Sequence, residues 1–133
     1  MLRTSIFGLL LALPLTGIAS EITYKCEFRR YTDEKGIHLS EKALNLVFVY
    51  NQTDGTAEMT GSIGQVKVIP VEGDLQVSFI EKTESGNIYV ATITDDLDSV
   101  YSRNSIFLGN IIASQYFGGC TKKLSPQINQ SID

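Results

Sequence analysis

The chain has 133 residues, 43% of them hydrophobic, with two cysteines, one histidine, no tryptophan and a formal net charge of -4. That length holds one ordinary core and excludes two independent ones. The acidic balance argues against nucleic acid as a partner, because phosphate binding calls for a clustered basic face, and Arg29-Arg30 and Lys122-Lys123 are only isolated pairs.

Residues 1–20, MLRTSIFGLLLALPLTGIAS, join Arg3 to an apolar run from Ile6 to Leu15 and end with Gly17 and Ala19 in the spacing that signal peptidase reads. A membrane span would need roughly 18 apolar residues, and Pro14 interrupts this run too early. The segment therefore reads as a secretory signal peptide cleaved near Ala19 or Ser20, and the protein as periplasmic or secreted rather than membrane-spanning. Cleavage there removes Arg3, which makes the net charge one unit more negative, and leaves no cysteine at the new N-terminus to carry a lipid.

From Glu21 the dominant pattern is period two, the mark of strands with one buried face. ITYKCEFRR sets Ile22, Tyr24, Cys26 and Phe28 against Thr23, Lys25, Glu27 and Arg29. The polar YTDEKGIHLSEKA reads as a long loop with one helical turn near Ser40, carrying His38 as a solvated residue. LNLVFVY then alternates Leu44, Leu46, Phe48 and Tyr50 with Val47 and Val49, which suits a partly covered strand. Asp54-Gly55 turns the chain, and shorter strands follow at TAEMT and QVKVIPV, where Pro70 cannot donate a ladder hydrogen bond and demands an edge, a bulge or an end.

LQVSFIE sets Leu75, Val77 and Phe79 on one face, TESGN turns, and IYVATIT follows. The acidic DDLD reads as a solvated turn, since it lacks the glycine and distal glutamate of a calcium loop. The last strands are SVYSR, SIFL and IIASQYF, before Gly118-Gly119, Cys120 and a polar tail over residues 122–133. The pattern gives about eight short antiparallel strands, and a meander of that kind favours a barrel, since closure removes both edges. A small sandwich of two sheets is the alternative. The barrel domain spans residues 21–121.

Two cysteines in an exported chain read as one disulfide rather than two buried thiols. If the first strand pairs with the last, Cys26 meets Cys120, and Gly118-Gly119 lets the backbones approach closely at that seam.

Chemistry is sparse. One histidine without a second ligand does not make a transition-metal site, no G-x-S-x-G nucleophile turn occurs, and GSIG lacks the lysine and helix of a phosphate loop. No catalytic residue, metal or cofactor is assigned. What remains is recognition chemistry: Ser85, Gly86 and Asn87 at a hairpin tip with Tyr89 beside it, Tyr101 and Arg103 in VYSRNS, and Gln115 and Tyr116 in SQYF. Tyrosine and arginine are the types enriched where proteins grip partners.

The layout of YKC near the start, SGNIY past the middle and a late cysteine resembles the periplasmic and membrane-anchored inhibitors of C-type lysozyme. That resemblance implies an eight-stranded barrel with a terminal disulfide, and an S-G-x-x-Y tip, here Ser85, Gly86 and Tyr89, that enters the lysozyme cleft. The lysine next to glycine that follows the motif in that family is missing, with Arg103 as the nearest cation. A wider resemblance, through FIEKTESGNIYVATIT, SRNS and SQYFGGC, is to short exported proteins of marine α-proteobacteria, which have no established function. The expectation is a monomeric, non-catalytic envelope binding module with Ser85, Gly86, Tyr89, Tyr101 and Arg103 as its site. A lysozyme inhibitor and a small-ligand carrier barrel are the alternatives.

Overall fold

In the computed structural model, which describes residues 19–127, the alternating segments become eight strands: β1 (Ala19–Asp33), β2 (Gly36–Asn51), β3 (Thr56–Gly61), β4 (Gly64–Glu72), β5 (Gln76–Lys82), β6 (Ile88–Thr94), β7 (Asp98–Phe107) and β8 (Asn110–Gln127). Each pairs antiparallel with the next and β8 returns to β1, so the sheet is a closed barrel and not a sandwich. The signal-peptide reading and the end of the tail fall mostly on residues 1–18 and 128–133, outside the described residues.

Period two explains what fills the barrel. Ile22, Tyr24, Cys26 and Phe28 of β1 face inward with Leu46, Phe48 and Tyr50 of β2, Val77 and Phe79 of β5, and Ala91 and Ile93 of β6. Phe28, Phe48, Phe79 and Ile93 are sealed almost completely. Phe48 and Phe79 stack at 4.7 Å between ring centroids, so the interior is packed by side chains, as an eight-stranded barrel of this bore allows.

The closing seam is set by register. Cys26 lies directly opposite Cys120 and is bonded to it, with Cα atoms 4.0 Å apart. Two residues on, β1 carries a bulge between Phe28 and Arg30, seen in its pairing with both neighbours. Gly118 sits against this bulge, where a side-chain methyl would overlap the Glu27 carbonyl and lie 2.9 Å from the Phe28 Cα.

Several elements differ from the sequence reading. Residues 31–43 form no long loop and no helical turn: β1 runs on to Asp33, the chain turns tightly, and β2 starts at Gly36. Ile37 and Leu39 alternate there with His38 and Ser40, but the apolar pair lies on the solvent side and the polar pair is half-buried, the reverse of the pattern that marks a strand with an apolar buried face. SVYSR and SIFL are one strand, β7, and β8 continues through Gln127 rather than ending at residue 121. Leu75, expected on a strand face, precedes β5 and is exposed. Pro70 lies within β4 but beyond the end of its β3 partner: the β3 pairing stops at Val68 and the β5 pairing starts at Ile69. Its missing N–H therefore costs no ladder bond on that side.

The strands are unequal. β1, β2 and β8 have 15, 16 and 18 residues, against six for β3 and seven each for β5 and β6. Together with β7 they rise past the packed interior as a flared lip, at the end where the β1–β2, β3–β4, β5–β6 and β7–β8 turns lie. The other end carries the turns at residues 51–56, 72–76 and 94–98.

Candidate functional site

The flared lip brings together residues from five strands. On β7 the inward parity of Ser99 and Tyr101 continues to Arg103 and Ser105. The register then places Tyr89 of β6 opposite Arg103, Tyr116 of β8 opposite Tyr101, Tyr31 of β1 opposite Tyr116, and His38 of β2 opposite Tyr31. Cross-strand pairs of this kind are in direct contact.

The result is a line of rings. His38 stacks on Tyr31 at 4.8 Å and Tyr31 on Tyr116 at 5.3 Å, while Tyr101 lies 6.2 Å from Tyr116 and 6.3 Å from Tyr89. At its end the Arg103 guanidinium carbon lies 4.9 Å from the centre of the Tyr89 ring. The Tyr89 hydroxyl shares a 3.0 Å hydrogen bond with Ser105.

Electrostatics along the line are uneven. The bond to Ser105, then Arg103, holds the Tyr89 hydroxyl below its ordinary pKa despite some burial. Burial, reinforced by Glu81, pushes Tyr101 well above it. Burial by itself would lower Arg103, but contact with the tyrosine hydroxyls outweighs it and the guanidinium stays charged. Arg103 is half-buried, its Nε has no hydrogen-bond partner, and no carboxylate lies within ion-pair distance of it among the described residues.

The hairpin tip between β5 and β6 is tied to the same lip. Gly86 takes a φ of +89°, which a glycine adopts without strain. The Ser85 hydroxyl meets Thr83 Oγ1 at 3.0 Å and accepts from the Asn87 amide at 3.2 Å. Asn87 Oδ1 in turn accepts from the Ile106 backbone at 3.3 Å, which fastens the tip to β7. Ser85 and Gly86 are exposed there.

Of the residues expected at a site, Tyr89 touches both Tyr101 and Arg103, and Ser85 and Gly86 stand beside them at the tip. Tyr101 is only 5% exposed, so it supports its neighbours from below. Gln115 points to the outer face, bonded to Ser102 at 3.3 Å. Sequence reasoning missed Tyr31 and His38, because the segment that holds them read as a loop. His38 is half-buried on β2, and its Nε2 lies 2.8 Å from Asp33 Oδ1. That bond, then the Lys35 backbone N–H, keeps the Asp33 carboxyl below its usual range. A carboxylate bonded to one ring nitrogen fixes the orientation of a histidine, and the ring fixed here is the one stacked on Tyr31.

Around the lip, Ile37, Leu39, Ile106, Phe107, Leu108 and Ile111 are exposed, Leu108 at 85%. Leu108 also holds a φ of +49° in the β7–β8 turn, which is uncommon for a residue with a side chain. Comparison with family models, curated proteins and solved structures finds no match.

Proposed function

We propose that the protein is an exported, non-catalytic binding module and that its partner is another protein, gripped by the flared lip. The observation that carries this reading is Arg103. A cation taken partly out of water without a counter-ion is costly to hold, and here it is kept charged on a tyrosine ring beside an ordered hairpin tip. Its Nε is buried, so a carboxylate supplied from outside would meet the terminal N–H groups of the half-buried guanidinium. Exposed apolar side chains around tyrosine and arginine match the make-up of an interface core.

Two further observations support the reading. The disulfide fits an oxidising compartment, in keeping with the signal-peptide reading. The interior, filled by Phe28, Phe48 and Phe79, weighs against a carrier that encloses its ligand.

The most concrete version is a C-type lysozyme inhibitor, in line with the S-G-x-x-Y resemblance. Ser85 to Tyr89 would enter the cleft, and Arg103 would meet acidic groups within it. The test is the exported protein added to C-type lysozyme on a cell-wall substrate, where it slows hydrolysis. Arg103→Gln combined with Ser85→Ala abolishes the effect. The thermal midpoint moves by only a few degrees, because a partly exposed cation–π contact contributes about 0.5–1 kcal/mol. Lack of inhibition at high micromolar protein removes the lysozyme version. The broader reading falls if partners cross-linked to the native protein in its own envelope are captured equally well by the double variant.

A further inference from the structure

The tip of the β7–β8 hairpin stands beyond the line of rings that ends at Arg103. Pairing of β8 with β1 ends at Gln115, and pairing of β7 with β6 ends at Asn104. The chain between them therefore projects as a ribbon of two strands, held at its base by the bonds from Ser105 to Tyr89 and from the Ile106 backbone to Asn87. Register and alternation put Ile106 and Ile111 on one face, and Phe107 and Ile112 on the other, with Leu108 in the turn. All five are exposed, and no charged side chain occurs from Asn104 to Thr121.

A flat protein surface covers one face of such a ribbon. This one is apolar on both faces and at its turn, which suits surroundings that close around it, as a lipid layer does. Ile63, in the β3–β4 turn at the same end, is fully exposed as well. Charge then decides which end meets the lipid. The turns at the far end carry Asp54, Glu72, Asp74, Asp95, Asp96 and Asp98 and no cation, whereas those at the lip end carry only Glu34, Lys35 and Glu84. Anionic head groups repel an acidic surface, so the far end stays in water and the lip end can approach.

From this arrangement we infer that the β7–β8 tip is a shallow membrane anchor: Phe107 and Leu108, flanked by Ile106, Ile111 and Ile112, enter the boundary between the head groups and acyl chains of a phospholipid layer. At about 3.3 Å per residue the apolar part reaches roughly 7–10 Å, which matches the depth of interfacial segments. The outer backbone edges of the ribbon are unpaired, and N–H and C=O groups without partners are costly in hydrocarbon. That cost confines the tip to the boundary, where water still reaches it. The anchor does not depend on the protein partner proposed above, since Arg103 takes no part in it.

The probe is phosphatidylcholine vesicles, mixed with the exported protein and separated by sedimentation. Protein is expected in the vesicle fraction, with a partition that added salt does not weaken. Phe107→Ser combined with Leu108→Asn lowers the partition at least about tenfold, the value of burying one large apolar side chain. Both positions are exposed, so the double variant keeps its thermal midpoint. The chain has no tryptophan, so Phe107→Trp reports insertion by a blue shift of its emission when vesicles are added, while Leu75→Trp, at the far end, shows none. Arg103→Gln leaves the partition unchanged, which separates the anchor from the protein-binding lip. The inference is overturned by absence of protein from the vesicle fraction at millimolar lipid, by a partition that the double variant retains, or by equal shifts in the two tryptophan variants. Dimers that form in solution in place of vesicle binding, and are lost in the double variant, would overturn it too and assign the tip to a second copy.

Discussion

Gly118 and Gly119 are adjacent in sequence and differ in what the structure asks of them. A methyl group on Gly118 would overlap the Glu27 carbonyl at the β1 bulge, whereas one on Gly119 meets only the Leu97 carbonyl at 3.5 Å, an ordinary contact. Backbone cannot yield as a flexible side chain can, so Gly118→Ala must push β8 away from β1 at the point where the barrel closes. Its cost is expected at the upper end of, or beyond, the roughly 1–3 kcal/mol of an overpacked core, with Gly119→Ala within about 0.5 kcal/mol of wild type. Urea denaturation of the two variants checks this, and equal stabilities would remove the close approach as the reason for the Gly-Gly pair. The same unevenness holds in the lip, where Tyr101 supports and Arg103 presents, though they stand two residues apart on one face of β7.

At the scale of elements, the β1–β8 seam is where the barrel is most exposed to failure, because it joins the two strands farthest apart in the chain. Loop closure of that span is costly, and contacts distant in sequence reward it late. The disulfide across the seam links residues 94 positions apart, and the chain-entropy account gives such a loop about 4–5 kcal/mol. Replacing both cysteines, Cys26→Ala with Cys120→Ala, is therefore expected to lower stability by about 2–5 kcal/mol. The loss should come mainly from a less constrained unfolded state, and chemical denaturation with and without reductant measures it. A midpoint that reductant does not shift in the native protein would show that the pairing of β1 with β8 closes the barrel unaided.

For the molecule as a whole, four tyrosines report on the two ends of the barrel at once, Tyr24 and Tyr50 at one and Tyr89 and Tyr101 at the other. Burial, followed by Glu72, raises the hydroxyls of Tyr24 and Tyr50, and burial, followed by Glu81, raises that of Tyr101. Each is an acid whose folded pKa exceeds the unfolded value of about 10. Below that value the folded and unfolded states both hold the proton and the contribution is fully present. As pH rises through the folded values the unfolded state has already released its protons, so stability is lost. Tyr89 runs the other way, lowered first by Ser105 and then by Arg103. Tyrosinate absorbance against pH should show Tyr89 ionising early, Tyr24 and Tyr50 late, and Tyr101 last, with the loss of β-sheet circular dichroism. A single transition of these four near the ordinary value with the fold intact would contradict that division.

Composition and alternation were enough to specify an all-β chain of about eight strands and to pair Cys26 with Cys120. Both rest on local signals: period two wherever one face is buried, and two cysteines placed on the first and last strands. Pro70 could be read as an edge, a bulge or a strand end for the same reason, since a missing N–H is a property of the residue itself. The path of residues 31–43 could not be read, because the half-buried face there holds the polar His38 and Ser40 while Ile37 and Leu39 face solvent, the reverse of the usual signal. Tyr89, Tyr101 and Arg103 stood out by residue type, but their meeting with Tyr31, Tyr116 and His38 depends on the register of β1, β2, β6, β7 and β8, and a one-residue slip in any of these strands turns its side chains to the other face. Which residues alternate is written along the chain, whereas which of them share an end of the barrel is fixed by shear and register between strands.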